Sequence, residues 1–303
     1  MLDDLIDHFV AGFRLARDCW KILRADLSLL LLPAFSGIAC ILVLLSFIAP
    51  SSLDQEGILA GIVRLAKLID VETNDASWKS WGTIFLFYFC LNFIIFYFNA
   101  ALVHCCLFRL RGIPVNLFHG LLAATRRLPQ LLAWSAVSAT VGLVIRVLEQ
   151  AGRKRGEYGK YFLIQIFGVL WSVATYFIVP VLVIERLGPW KALKRSVKVL
   201  SRTWGDQIGG RIGIDFFILP IWLAGFALVS FGVHAGVTTS SAGPILLGVG
   251  ILWLVVTALI HSTLDTVLLS ALYLYSTQDE IPAQWEAAQL EQAFYARTTY
   301  TDG

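Results

Sequence analysis

The residues best placed to do chemistry are ionisable groups set inside long apolar runs. His261 and Asp265 lie four positions apart in the run 244–275, so on a helix they share one face. Asp265 stands about ten residues, or roughly 15 Å at helical rise, from the end of that run. An ionisable group at such depth is costly in hydrocarbon and is a functional candidate by default. The pair can relay a proton or coordinate a polar ligand. Alternatively, Asp265 accepts hydrogen bonds from a neighbouring helix and pins the packing, which is the favoured reading. Asn99, in the run 82–108, is a further intramembrane polar candidate. Asp215 is only a few residues into the run 212–236 and is expected to reach water. Arg146 and Glu149, one turn apart near the end of the run 130–149, are expected to pair or to snorkel.

No phosphate-binding loop, dinucleotide fingerprint, nucleophile elbow or metalloprotease histidine pair occurs in the chain. No catalytic residue is assigned, and the chain reads as a non-enzyme with no cofactor. The adjacent trio His104-Cys105-Cys106 is a poor metal site, because consecutive helical residues point about 100° apart. No metal is expected. The five cysteines, Cys19, Cys40, Cys90, Cys105 and Cys106, are odd in number and mostly in or beside apolar runs. They read as free buried thiols rather than a disulfide framework.

The elements that must position these groups are membrane spans. The chain has 303 residues, 57% apolar and 15% charged, with a mean hydropathy of +0.73. Soluble domains run at about 45–50% apolar and 25% charged. That contrast excludes a soluble enzyme, a secreted disulfide scaffold and a disordered adaptor. A formal charge of +3 is too small to suggest nucleic acid. Apolar runs at about 27–49, 82–108, 130–149, 161–184, 212–236 and 244–275 are long enough to cross a bilayer. The expected organisation is one integral membrane domain over 1–276 and a polar cytoplasmic tail over 277–303, within which 284–296 forms a short helix. The start of the chain, with Asp3, Asp4 and Asp7, does not resemble a cleaved signal peptide.

An even number of crossings puts both termini on one side. Of the 24 lysines and arginines, sixteen fall on the terminal side, seven on the other, and Arg146 within the run 130–149. By the positive-inside rule both termini are cytoplasmic. The cluster Arg153-Lys154-Arg155, between the runs 130–149 and 161–184, opposes that bias, and a failure of those two runs to cross separately would break the six-span topology.

The segments on the terminal side share a pattern. Phe9, Phe13, Ala16 and Trp20 make one helical stripe, as do Leu117, Leu121, Ala124 and Leu128, and again Leu193, Val197, Leu200 and Trp204. The other faces carry Arg14, Arg17, Lys21 and Arg24; Arg126 and Arg127; and Lys191, Lys194, Arg195, Lys198 and Arg202. Each basic segment precedes two spans, so the chain reads as a threefold repeat of surface helix plus helical pair. A further stripe, Ile58, Ile62, Leu65 and Ile69, is expected at the outer interface, with Trp78 and Trp81 marking the start of the second span. Pro180 is expected to kink the fourth span, and Glu185 to answer Lys191, Lys194 and Arg195.

Several stretches together resemble a known family. They are Phe98-Asn99-Ala100-Ala101-Leu102, Trp171-Ser172-Val173-Ala174-Thr175, Val179 to Glu185, Gly188 to Ser196, and Ala271-Leu272-Tyr273-Leu274-Tyr275. The chain is similar over roughly 8–276 to an uncharacterised bacterial family of six-span inner-membrane proteins, a domain of unknown function. More distantly it resembles the membrane domain fused to glycerophosphoryl diester phosphodiesterases. The resemblance implies a bacterial integral membrane protein and carries over no catalytic residue.

The expected fold is therefore all-α, with six transmembrane helices and amphipathic interfacial helices. The expected function is a non-enzymatic inner-membrane protein that engages anionic phospholipids through Arg14, Arg17, Lys21, Arg24, Arg126, Arg127, Lys191, Lys194, Arg195 and Lys198. It would serve as a scaffold or envelope factor and form a homo-oligomer. The alternative is a channel or carrier for a small solute or lipid, using His261, Asp265 and Asn99.

Overall fold

The computed structural model describes residues 17–51, 78–154, 158–237 and 242–278. Phe9, Phe13, Arg14 and Ala16, the stripe Ile58 to Ile69, the segment 284–296 and the side chains of Arg202 and Trp204 lie outside the described residues. Among the described residues all regular structure is helical. Residues 17–25 form α1, and a 3₁₀ turn, Leu27–Leu30, leads into α2, Leu31–Ser51. There follow α3, Trp78–Leu110; α4, Leu117–Thr125; α5, Leu128–Lys154; and α6, Tyr158–Ala174. The last three are α7, Ile178–Ile184; α8, Pro189–Val237; and α9, Ala242–Gln278.

Six stretches are long and apolar enough to cross a membrane: Leu27–Ile48, Trp81–Leu110, Leu128–Glu149, Phe162–Ile184, Ile214–Gly236 and Gly243–Thr277. The all-α, six-span expectation is met, each run agreeing within a few residues. Two details differ. The third basic segment and the fifth span share one continuous helix, α8, of 49 residues. The fourth span is broken rather than bent at Pro180. The chain leaves the helix at Thr175–Phe177, and Pro180 occupies the first turn of α7, where it has no helical N–H bond to forfeit.

Local chemistry explains the other boundaries. Asp26 caps the 3₁₀ turn, accepting from the Ser28 N–H at 3.2 Å. Helix α3 ends where Gly112 takes φ 76°, with Gly112 N donating to Arg109 O (2.9 Å) and Ile113 N to Phe108 O (3.0 Å). Those two bonds form a Schellman cap, and Pro114 follows to prevent the helix resuming. Pro189 opens α8, where a missing N–H costs nothing.

Contacts group the chain into two compact units. The first takes the described residues of 1–33, 102–117 and 201–303, and the second those of 34–101 and 118–200.

In the first unit, α1 buries Cys19, Ile22 and Leu23, while the end of α3 buries Leu102, Val103, Cys105, Cys106, Leu107 and Leu110. Arg109 donates to Asp26 at 2.5 Å, tying α3 to the 3₁₀ cap. The later half of α8 packs on α9 along a seam of small residues. A Cβ built on Gly232 would meet Leu247 N at 2.5 Å, and one on Gly250 would meet Val229 N at 2.8 Å. One on Gly225 would meet Leu254 Cδ2 at 2.5 Å, and one on Gly243 would collide with the Gly236 backbone. Lipid tails are as apolar as leucine, so helices in a bilayer associate through such close approach rather than through water exclusion.

In the second unit α3 is the common partner. Phe47 of α2 meets Phe87 edge-on at 5.1 Å. From α5, Trp134 is fully buried, stacks on Trp171 of α6 (5.8 Å, 13°) and meets Phe96 of α3 edge-on at 6.5 Å. Arg146 Nη1 donates to Tyr88 Oη at 2.6 Å, and Glu149 accepts from Gln165 Nε2 at 2.7 Å. Arg146 and Glu149 thus bond to other helices rather than to each other.

Candidate functional sites

The break between α6 and α7 frees backbone groups inside the fourth apolar stretch, where an unsatisfied group costs several kcal/mol. One side chain repairs it. Ser196 of α8 is fully buried, accepts from Phe177 N at 3.1 Å and donates to Ala174 O at 2.7 Å. Thr175 Oγ1 folds back onto Trp171 O at 2.9 Å. Arg195, the neighbour of Ser196, donates through Nε to both carboxylate oxygens of Glu185, at 2.8 and 3.0 Å. From the α4–α5 turn, Arg127 Nε donates to Val183 O at 3.2 Å, on the last turn of α7 where carbonyls lack helical partners.

The start of α8 buries only part of the face its apolar residues suggest: Leu200 of the anticipated stripe is buried and Leu193 half-buried. The inward positions are Ala192, Ser196, Val199 and Leu200, whereas Val197 of the anticipated stripe is exposed. Small residues are needed where α8 approaches the break, and hydropathy ranks them below leucine and valine. In α4 the anticipated stripe is found: Ala124 is buried, and Leu117, Leu121 and Leu128 are partly so. In α1, Trp20 is half-buried beside the buried Cys19, Ile22 and Leu23.

The basic residues divide accordingly. Arg17, Lys21 and Arg24 are exposed, with Lys21 bonded to Asp18 at 2.8 Å. Lys191, Lys194 and Lys198 are exposed and fall on one face of α8, beside the exposed Trp190. Arg195 is turned inward to Glu185, the one of the three anticipated partners that the carboxylate takes. Arg126 is exposed and Arg127 half-buried. Burial, followed by the charges of Arg186 and Arg126, pushes the Arg127 guanidinium down from its ordinary value.

The polar group of the last span lies in the first unit. His261 Nε2 is 3.0 Å from Asp215 Oδ1 of α8 and 3.9 Å from Asp265 Oδ2, one turn along α9. The hydrogen-bonded partner of the histidine is therefore Asp215, the residue expected only to reach water. Two carboxylates flank one imidazole, an arrangement that can hold a proton or a polar group and equally joins α8 to α9. Burial, followed by the charges of Asp18 and Asp265, pushes the Cys19 thiol well up, so it stays protonated and unreactive near neutral pH. Asn99 is half-buried in α3. No set of metal ligands occurs among the described residues.

Sequence reasoning missed Ser196, Asp215 as a partner, Arg186, the Asp26–Arg109 bond and the glycine seam. The seam had a readable signal: Gly225, Gly232 and Gly236, then Gly243 and Gly250, at heptad-like spacing. Ser196 had none beyond its place in a conspicuous motif.

No curated protein and no solved structure matches the chain. A family match covers the brace, the glycine seam and the histidine–carboxylate group together. It extends over residues 79–282, more than half of the sequence, and on that ground the chain belongs to the family of unknown function DUF6159.

Proposed function

We propose that this chain is a non-enzymatic protein of a bacterial inner membrane that holds anionic phospholipid on its basic surface segments. It acts as a scaffold or envelope factor and associates with further copies of itself, with both termini cytoplasmic. The observation that carries the reading is the exposed face of Lys191, Lys194 and Lys198 beside the exposed Trp190. Each lysine near an anionic surface contributes about 1 kcal/mol, and a tryptophan suits the headgroup level. The test is native mass spectrometry of the protein released from nanodiscs of mixed phosphatidylglycerol and phosphatidylcholine. Replacing Lys191, Lys194 and Lys198 together by glutamate should markedly reduce the phosphatidylglycerol retained. Unchanged retention would remove the reading. Arg195 is left out of the set because its reversal would break the Glu185 pair.

A second reading, a channel or carrier for a small solute or lipid, is favoured by the His261 group, which links two apolar spans through Asp215. It requires a flux across proteoliposome membranes that depends on His261.

A further inference from the structure

The two turns that meet at the brace bring three arginines together. Arg126 and Arg127 form the α4–α5 turn, and Arg186 follows the last residues of α7. Arg127 Nε is fixed on Val183 O at 3.2 Å, and Arg186 and Arg126 are both near enough for their charges to act on the Arg127 guanidinium. Arg186 takes the left-handed conformation, φ 56°, usually left to glycine. The adjacent carboxylate, Glu185, is engaged through both oxygens by Arg195. Arg126 and Arg186 are exposed, and the Nε bond leaves both Nη groups of Arg127 for another acceptor. The cluster lies just outside two span ends, Leu128 and Ile184, which is headgroup depth. Phe118 and Trp190, on the helices either side, are largely exposed at 67% and 69%.

We propose that Arg126, Arg127 and Arg186 form a binding site for a phosphate group carried by an anionic membrane lipid. Guanidiniums recognise phosphate through paired, charge-assisted hydrogen bonds, and a bound phosphate relieves the mutual repulsion of the three cations. The exposed Phe118 and Trp190 favour a lipid as the source of that phosphate, because aromatic rings settle at the membrane interface. The site rests on the proposed lipid-holding function and deepens it, adding one selective position to a general basic surface.

The test titrates the detergent-solubilised full chain with dioleoyl phosphatidic acid, with dioleoyl phosphatidylcholine, and with inorganic phosphate as competitor, read by native mass spectrometry. The variant carrying Arg126→Gln and Arg186→Gln should bind phosphatidic acid about tenfold more weakly, as expected for lost charge-assisted bonds, with phosphatidylcholine unaffected. A variant carrying Lys191→Gln and Lys194→Gln should hold fewer anionic lipids in total yet keep the tightest phosphatidic acid site within about twofold of the wild type. Wild-type affinity in the arginine variant overturns the site; the broader function survives if the lysine variant still loses lipid and falls if it does not. Inorganic phosphate binding as tightly as phosphatidic acid would assign the site to a soluble phosphate and overturn the lipid source. Should the double arginine variant fail to fold, Arg126→Gln alone must weaken phosphatidic acid binding, and wild-type affinity there also overturns the site.

Discussion

Ser196 shows how much one small side chain can be asked to do inside a span. Its hydroxyl answers both a backbone donor and a backbone acceptor exposed by the break, Phe177 N and Ala174 O. Removing it leaves both without that partner in a buried setting, and a buried orphan costs more than an ordinary hydrogen bond contributes. Ser196→Ala should therefore lower stability by about 1–3 kcal/mol. Ser135 is the internal control. It too is fully buried, but it donates only to Leu131 O of its own helix at 2.7 Å, a carbonyl that the α-helical ladder already serves. Ser135→Ala should cost clearly less in the same chemical or thermal unfolding measurement. Equal losses in the two variants would mean that the break is stable without its brace.

At the scale of elements, the α8–α9 hairpin follows from residue spacing. Gly225, Val229, Gly232 and Gly236 recur at four, three and four residues, as do Gly243, Leu247, Gly250 and Leu254 on the facing helix. In antiparallel order each meets its counterpart: Gly225 with Leu254, Val229 with Gly250, Gly232 with Leu247, Gly236 with Gly243. A side chain at Gly232 would have to displace the backbone of α9, since its Cβ would stand 2.5 Å from Leu247 N and 2.8 Å from Leu247 Cα. Gly232→Leu should lower the thermal midpoint by the equivalent of about 1–3 kcal/mol or more, the range for overpacked sites. Gly248, on the same helix as Leu247, has nothing within 4 Å of a built Cβ, so Gly248→Leu should be tolerated. Two equally tolerated variants would show that the helices are free to separate. The contrast also marks what was legible beforehand. Hydropathy averaged over some twenty residues locates six spans, and helical spacing locates the α4 stripe and the lysine face of α8, but neither knows which helices touch. Helix pairing, the break at Thr175–Phe177, the partner of His261 and the inward face of α8 all depend on close approach of backbones. Glycine, alanine and serine govern that approach, and they carry little hydropathic signal. The quoted motifs did point to the brace, since Trp171 to Thr175, Val179 to Glu185 and Gly188 to Ser196 are the three stretches that build it, but nothing in their letters announced a hydrogen-bonded repair.

For the molecule as a whole, the question is whether the His261 group fastens two spans or moves something through them. Fastening has a specific energetic signature. Interhelical hydrogen bonds in membranes contribute about 1 kcal/mol on average or somewhat less. Here one imidazole stands between Asp215 at 3.0 Å and Asp265 at 3.9 Å. His261→Ala would remove the bond and leave two carboxylates with no imidazole between them, whereas Asp215→Asn would remove one charge and leave His261 next to Asp265. If the group is a fastener, His261→Ala should lower the thermal midpoint more than Asp215→Asn does. Proteoliposomes of the wild type and of both variants should then hold an imposed pH gradient as long as empty liposomes. Transport predicts the reverse pairing. The wild type would dissipate the gradient or admit a solute, His261→Ala would abolish that flux, and the midpoint would scarcely move because the polar group would be there for the traffic rather than the packing. Measuring midpoint and flux on the same preparations separates the two. The proposed scaffold function expects the first pattern; a wild-type flux lost at an unchanged midpoint would replace it with a carrier.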